Sequence, residues 1–126
     1  MKTRGQLEAE ISEAIIKFEK EYMGRGPDET KTYIIDDMIV VRLHRVLTPA
    51  EKQLAKSEDP RGRSLIKEVR IELLEKGRAL LEGIISNAMG RNVKSMHTDI
   101  STVTGERVII FTLDGCPALG DEARGR

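Results

Sequence analysis

The chain reads as an α+β protein: a two-layer sandwich in which two α-β-β units contribute hairpins to one four-stranded antiparallel sheet, with helices on one face. Three features of its 126 residues predict this. Apolar residues recur at three- and four-residue steps in two long stretches, the period of an amphipathic helix. Each stretch ends at the tripeptide "MGR", at 23–25 and again at 89–91. After each tripeptide come two runs rich in β-branched residues with turn residues between them, the mark of a hairpin. The repeated order of elements carries the reading more than the tripeptide match does.

Leu7, Ile11, Ala14, Ile15, Phe18 and Tyr22 line one side of the first helix, and Glu8, Glu10, Glu13, Lys17 and Lys20 occupy the other. Gly24, Gly26 and Pro27 end it, because glycine accepts the left-handed cap conformation and proline cannot continue the hydrogen-bond ladder. "TKTYII" and "MIVVRLHR" follow as strands that meet at Asp36-Asp37, a two-residue turn within a hairpin over 30–45. "TPAEKQLA" opens a second helix with Thr48 as N-cap, Pro49 in the first helical position and Glu51 closing a capping box. "KSEDPRGRS" breaks that helix, and a longer one runs over 64–88 with Gly77 marking a bend. Gly90 caps it, and "VKSMHTDISTV" and "ERVIIFTL" form a second hairpin about a Thr104-Gly105 turn. The domain is thus expected over 1–115, and the polar, glycine-rich 116–126 reads as a disordered tail.

Counting outward from the turns assigns faces, since successive strand residues point to opposite sides. Ile34 with Ile39 and Thr32 with Val41 should face the helices, as should Ile100 with Ile109, Thr98 with Phe111 and Met96 with Leu113. The opposite face then holds Tyr33, Ile35, Met38, Val40, Arg42 and His44 from the first hairpin, and His97, Asp99, Ser101, Val108, Ile110 and Thr112 from the second. A sheet covered on one side should be polar on the other, and six of these residues are apolar. Tyr33, Ile35, Met38 and Val40 therefore predict an interface. The expected cover is a second copy of the chain, or a part of the first helix that wraps around.

Lys plus Arg and Asp plus Glu each total 21, so no net field draws the protein to nucleic acid or to an anionic membrane. With no Trp, two Tyr and two Phe there is little to stack on bases, and nucleic acid is not an expected partner. Cys116, the single cysteine, offers neither an intrachain disulfide nor a paired metal ligand and fits a reducing cytoplasm. No apolar run approaches the roughly 20 residues that span a bilayer, so direct membrane insertion is not expected.

"GRGP" at 24–27, "YIIDDMIVVRL" at 33–43, "LTPAEKQLA" at 47–55, "LIKEVR" at 65–70, "HTDISTVTGERV" at 97–108 and "FTLD" at 111–114 together resemble a bacterial family, the MpsC-like family of a sodium-translocating, membrane-potential-generating system. The resemblance implies association with a sodium-linked or bicarbonate-related membrane system. It brings no catalytic residues to carry over. Any transport role implied for this chain is that of an accessory protein.

Candidate ligand-binding residues come from the polar positions. His44, His97 and Asp99 fall on one predicted sheet face and have the donor types of an open zinc or iron site, although their convergence depends on a strand order the sequence does not supply. Histidines paired with a carboxylate or carbonyl are the commoner outcome. Arg25 and Arg91 follow helix ends and Arg42 lies on the sheet; all three could meet an anion, but glycine-rich phosphate loops place amides at a helix start, and "GRGP" follows a helix end. Asp36 and Asp37 are turn residues, and His97, Asp99 and Ser101 stand side by side on one strand, not around a reacting atom. No catalytic residue, metal or cofactor is assigned. Two functions follow: a cytoplasmic homo-oligomeric accessory or regulatory protein, expected as a homodimer with a membrane-system protein as candidate partner, or a small-molecule or metal-binding protein, enzyme or not, using Arg42, His44, His97 and Asp99.

Overall fold

Thr3 starts the fold with a capping box: its hydroxyl accepts from the Gln6 amide at 3.2 Å, while the Gln6 side-chain oxygen accepts from the Thr3 amide at 2.9 Å. Two donors that a helix start leaves unpaired are thereby satisfied. The computed structural model describes residues 1–120. From this cap runs α1 (Arg4–Phe18), continued by one π-helical turn over Glu19–Met23 that ends at Gly24 with φ 86°. β1 (Glu29–Ile35) and β2 (Met38–His44) then pair with Ile34 opposite Ile39 and Thr32 opposite Val41, the predicted register. Asp36 makes that turn at φ 54°, a conformation aspartate tolerates better than most residues.

α2 (Pro49–Lys56) has the expected capping box between Thr48 and Glu51. α3 (Pro60–Met89) starts earlier than the expected residue 64, because Asp59 caps it by accepting from the Arg61 amide at 2.9 Å and Pro60 takes the first helical position. The helix runs unbroken through Gly77. A Cβ at Gly77 would lie 2.9 Å from the Phe18 ring, so the glycine admits the stacked Phe18 and Tyr22 rings against α3.

β3 (Val93–Ile100) and β4 (Arg107–Leu113) form the second hairpin, with one correction. The strands are joined by residues 101–106, not by a two-residue Thr104-Gly105 turn, and Ile100 pairs with Arg107, Thr98 with Ile109 and Met96 with Phe111. A type I′ turn needs positive φ at both central residues, which β-branched Thr104 resists; only Gly105 adopts it, at 75°. The Ser101 hydroxyl instead accepts from the Thr104 amide, and the Ser101 amide donates to the Glu106 carbonyl at 2.8 Å. The register differs by two residues from the expectation, an even step, so the residues within the strands keep their expected faces, while Ser101, expected on the open face, lies in the loop.

The strand order is β1-β2-β4-β3, antiparallel throughout. One face meets the helices: Ile39, Val41, Leu43, Ile109 and Phe111 are fully buried there with Ile11 and Ile15 of α1 and Leu81 and Ile85 of α3. α1 also guards the β1 edge, where Glu8 accepts from the Ile34 amide at 2.8 Å and Ser12 and Thr32 share a hydroxyl hydrogen bond of 2.8 Å. A backbone donor on the sheet edge, open to pairing with another strand, is thus taken up. Within the segment expected as a tail, Leu119 packs against the core and the Gly120 amide donates to the Lys2 carbonyl at 2.8 Å. The remainder of that segment, 121–126, lies outside the described residues.

Candidate functional site

The face of the sheet turned away from the helices is built by the strand register. One row across it reads Tyr33, Val40, Ile110 and His97; a second reads Ile35, Met38, Thr112 and Ser95; a third reads Lys31, Arg42, Val108 and Asp99. Five apolar residues, Tyr33, Val40, Met38, Ile110 and Val108, are only half-buried, and Ile35 is 54% exposed. They form a continuous apolar centre because each neighbours the next along a row or two positions along a strand. No described element covers them.

Polar groups ring this centre. Arg42 Nη2 donates to Glu106 Oε2 at 2.6 Å, and His44 Nδ1 lies 3.9 Å from the same oxygen. The hydrogen bond from Arg42 holds the Glu106 carboxyl below its ordinary range. Nothing in the sequence marks Glu106 as the partner, since the pair is 64 residues apart and only the β2–β4 pairing unites them. On the far margin the His97 ring is 3.3 Å from the Ser95 hydroxyl, which also bonds Thr112. Asp99 accepts from its neighbouring Ile100 amide at 2.8 Å and stands 3.5 Å from Lys67.

The structure does not bring the histidines together. His97 shares a row with Val40, whereas His44 lies four residues further along β2 and two strands away. At usual strand dimensions that is about 13 Å along the strands and about 10 Å across them. Among the described residues no group of three or more His, Cys, Asp or Glu side chains is placed to hold a metal. Arg25 sits elsewhere, donating to Asp28 at 3.2 Å and to the Arg45 carbonyl at 3.1 Å, and so ties the exit from α1 to the end of β2. Cys116 is exposed and free.

Two ion pairs lie on the helix side beneath the same strands. Arg107, 1% exposed, donates through Nη1 to both Glu19 oxygens at 3.2 and 3.1 Å. Burial pushes the Glu19 carboxyl above its ordinary range against the pull of Arg107, and lowers the Arg107 guanidinium. Arg70 forks onto Glu51 at 2.9 and 2.6 Å and also donates to the Val46 carbonyl at 3.0 Å. Burial pushes Glu51 up, but hydrogen bonds from Arg70 and from the Thr48 amide outweigh it and leave that carboxyl low. The π-helical turn and α2 deliver the two glutamates, so these pairs bolt the helices to the loop after β2 and to β4.

Fold and surface define a two-layer α+β domain whose distinguishing feature is an uncovered apolar sheet face. The chain belongs to the MpsC family, described as the Na+-translocating membrane potential-generating system, whose sequence pattern it matches over residues 3–115. It is 47% identical over 112 residues to Uncharacterized protein YbcI of Bacillus subtilis (strain 168), covering 89% of each chain. It is 27% identical over 107 residues to Uncharacterized protein YrhF of the same organism, covering 83% of this chain and 85% of that one. No solved structure matches it.

Proposed function

We propose that this protein is a cytoplasmic homo-oligomeric accessory or regulatory component of a membrane ion or bicarbonate transport-related system, acting through protein contacts. The apolar centre of the open sheet face carries the reading. Fully burying an exposed aliphatic side chain contributes about 1.5 to 3 kcal/mol, so covering Ile35 and the half-buried Tyr33, Met38 and Val40 recovers part of that at each position, a sum that counts against a small domain's net stability. A second copy of the same face, set about a twofold axis, covers them without any additional element. The family description supplies the membrane-system context, and no helix among the described residues is long and apolar enough to cross a membrane. The alternative, a small-molecule or metal site shared by Arg42, His44, His97 and Asp99, is disfavoured by the separation of the two histidines.

Sedimentation tests the interface. Val40→Lys sets a charge in the middle of the contact and leaves Ile39 and Val41 on the covered face untouched. The expected result is a wild-type assembly of two or more chains whose mass falls by at least half in the variant, with helix content unchanged by circular dichroism. A wild-type monomer at micromolar concentration, or a variant of full mass, overturns the interface.

A further inference from the structure

α3 buries one stripe, through Ile66, Leu74, Leu81 and Ile85, yet a second apolar stripe runs along its outer side. Leu65, Val69 and Leu80 are 49, 52 and 59% exposed, and half-buried Leu73 lies between them. At 100° per residue these four fall within one quarter of the helix circumference and extend about 22 Å along it, four turns. Such a stripe on an already packed helix has no use in the isolated fold. Its flank is acidic, with Glu68 and Glu72 exposed and in no ion pair with a described residue, while Lys76 stands within the stripe itself.

We infer that α3 pairs antiparallel with α3 of a second copy, forming a second self-association surface distinct from the open sheet face. The pattern is self-complementary. Reversing the helix about a point between Glu72 and Leu73 sets Leu65 opposite Leu80 and Val69 opposite Lys76, and repeats both contacts by symmetry. Lys76 then lies between Glu68 and Glu72 of the second copy, so the one cation in the stripe meets the unpaired acidic flank. The Leu80 side chain of the second copy enters a cleft of about 490 Å³ lined by Leu54, Gly62, Leu65 and Glu68. Beside this cleft α2 and α3 touch closely: a Cβ at Gly62 would lie 2.4 Å from the Leu54 carbonyl oxygen. A basic helix of another protein would match the acidic flank but would leave Lys76 facing like charge, so the second copy is the better occupant.

This pairing does not depend on the sheet-face interface, and sedimentation equilibrium with single and double variants separates the two. With both surfaces active, the Val40→Lys protein is a dimer held by α3, and adding Leu80→Glu, which sets a carboxylate against Leu65 and Glu68 of the second copy, raises its dissociation constant by about a hundredfold or more. Lys76→Glu in the Val40→Lys background should weaken the dimer likewise, and Glu68→Lys with Glu72→Lys should restore it. Restoration by charge exchange is a result that a merely structural role for these side chains would not give. A Val40→Lys protein that is already monomeric overturns the α3 pairing while sustaining the sheet interface. An oligomer whose mass Leu80→Glu leaves unchanged, or a loss that charge exchange does not reverse, also overturns it.

Discussion

Ile39 and Val40 are neighbours on β2 and nearly the same chemically, yet Ile39 is wholly buried and Val40 is half-exposed. The difference is one of partners. Ile39 points at the layer of α1 and α3, where close packing makes every methyl group count, and Val40 points at Tyr33 and Ile110 across a face with no described layer above it. The covered face tells how the domain holds itself together; the open face tells what it does with the rest of its hydrophobicity. The helix side also houses two ion pairs of unequal character, one sealed between Glu19 and Arg107 and one between Glu51 and Arg70 at the edge of water.

Substitutions on the two faces should therefore differ in kind. Arg107→Ala is expected to cost the most, about 3 to 5 kcal/mol, because it strands the Glu19 carboxyl in the core. Replacing both partners together, as Glu19→Leu with Arg107→Met, should recover most of that loss, and urea unfolding would measure both. Ile39→Ala comes next at about 2 to 5 kcal/mol, from lost transfer energy and the cavity left behind. Its neighbour Val40→Lys should change the unfolding free energy of the separated chain by less than about 1 kcal/mol, since the side chain meets solvent there. An equal loss at the two positions would erase the distinction between the faces.

Acid sharpens the contrast between the ion pairs. Glu51 has a lowered folded pKa, so its stabilisation is present above the ordinary glutamate value of 4.5 and is lost as pH falls through the folded value. Glu19 has a raised one, so its contribution has the opposite sign: protonation favours the folded state first, and stability from this group declines as pH rises from 4.5 through the folded value. Glu51→Gln should flatten the loss of stability as pH falls below 4.5, whereas Glu19→Gln should flatten the loss as pH rises above it. Urea midpoints at stepped pH would show two shifts of opposite sign, the smallest of the expected effects.

Local chemistry determined much of this protein directly from its residues. The α2 capping box, the Asp36-Asp37 turn and the division of every strand into a covered and an open face depend on neighbours a few positions apart, or on the strict two-residue period of a strand. For that reason the two-residue error in the second hairpin left the open face intact. The early start of α3 was legible in Asp59-Pro60, a cap and a first helical residue that read equally well as a loop. The strand order, the pairing of Arg42 with Glu106 and the burial of Glu19 against Arg107 were decided only by the tertiary structure. Glu19 and Arg107 are 88 residues apart, and in sequence each resembles any other charge in a chain that is one-third charged. What sets them apart is desolvation, which shifts both ionisations and acts only when the π-helical turn and β4 meet across the core and exclude water from both.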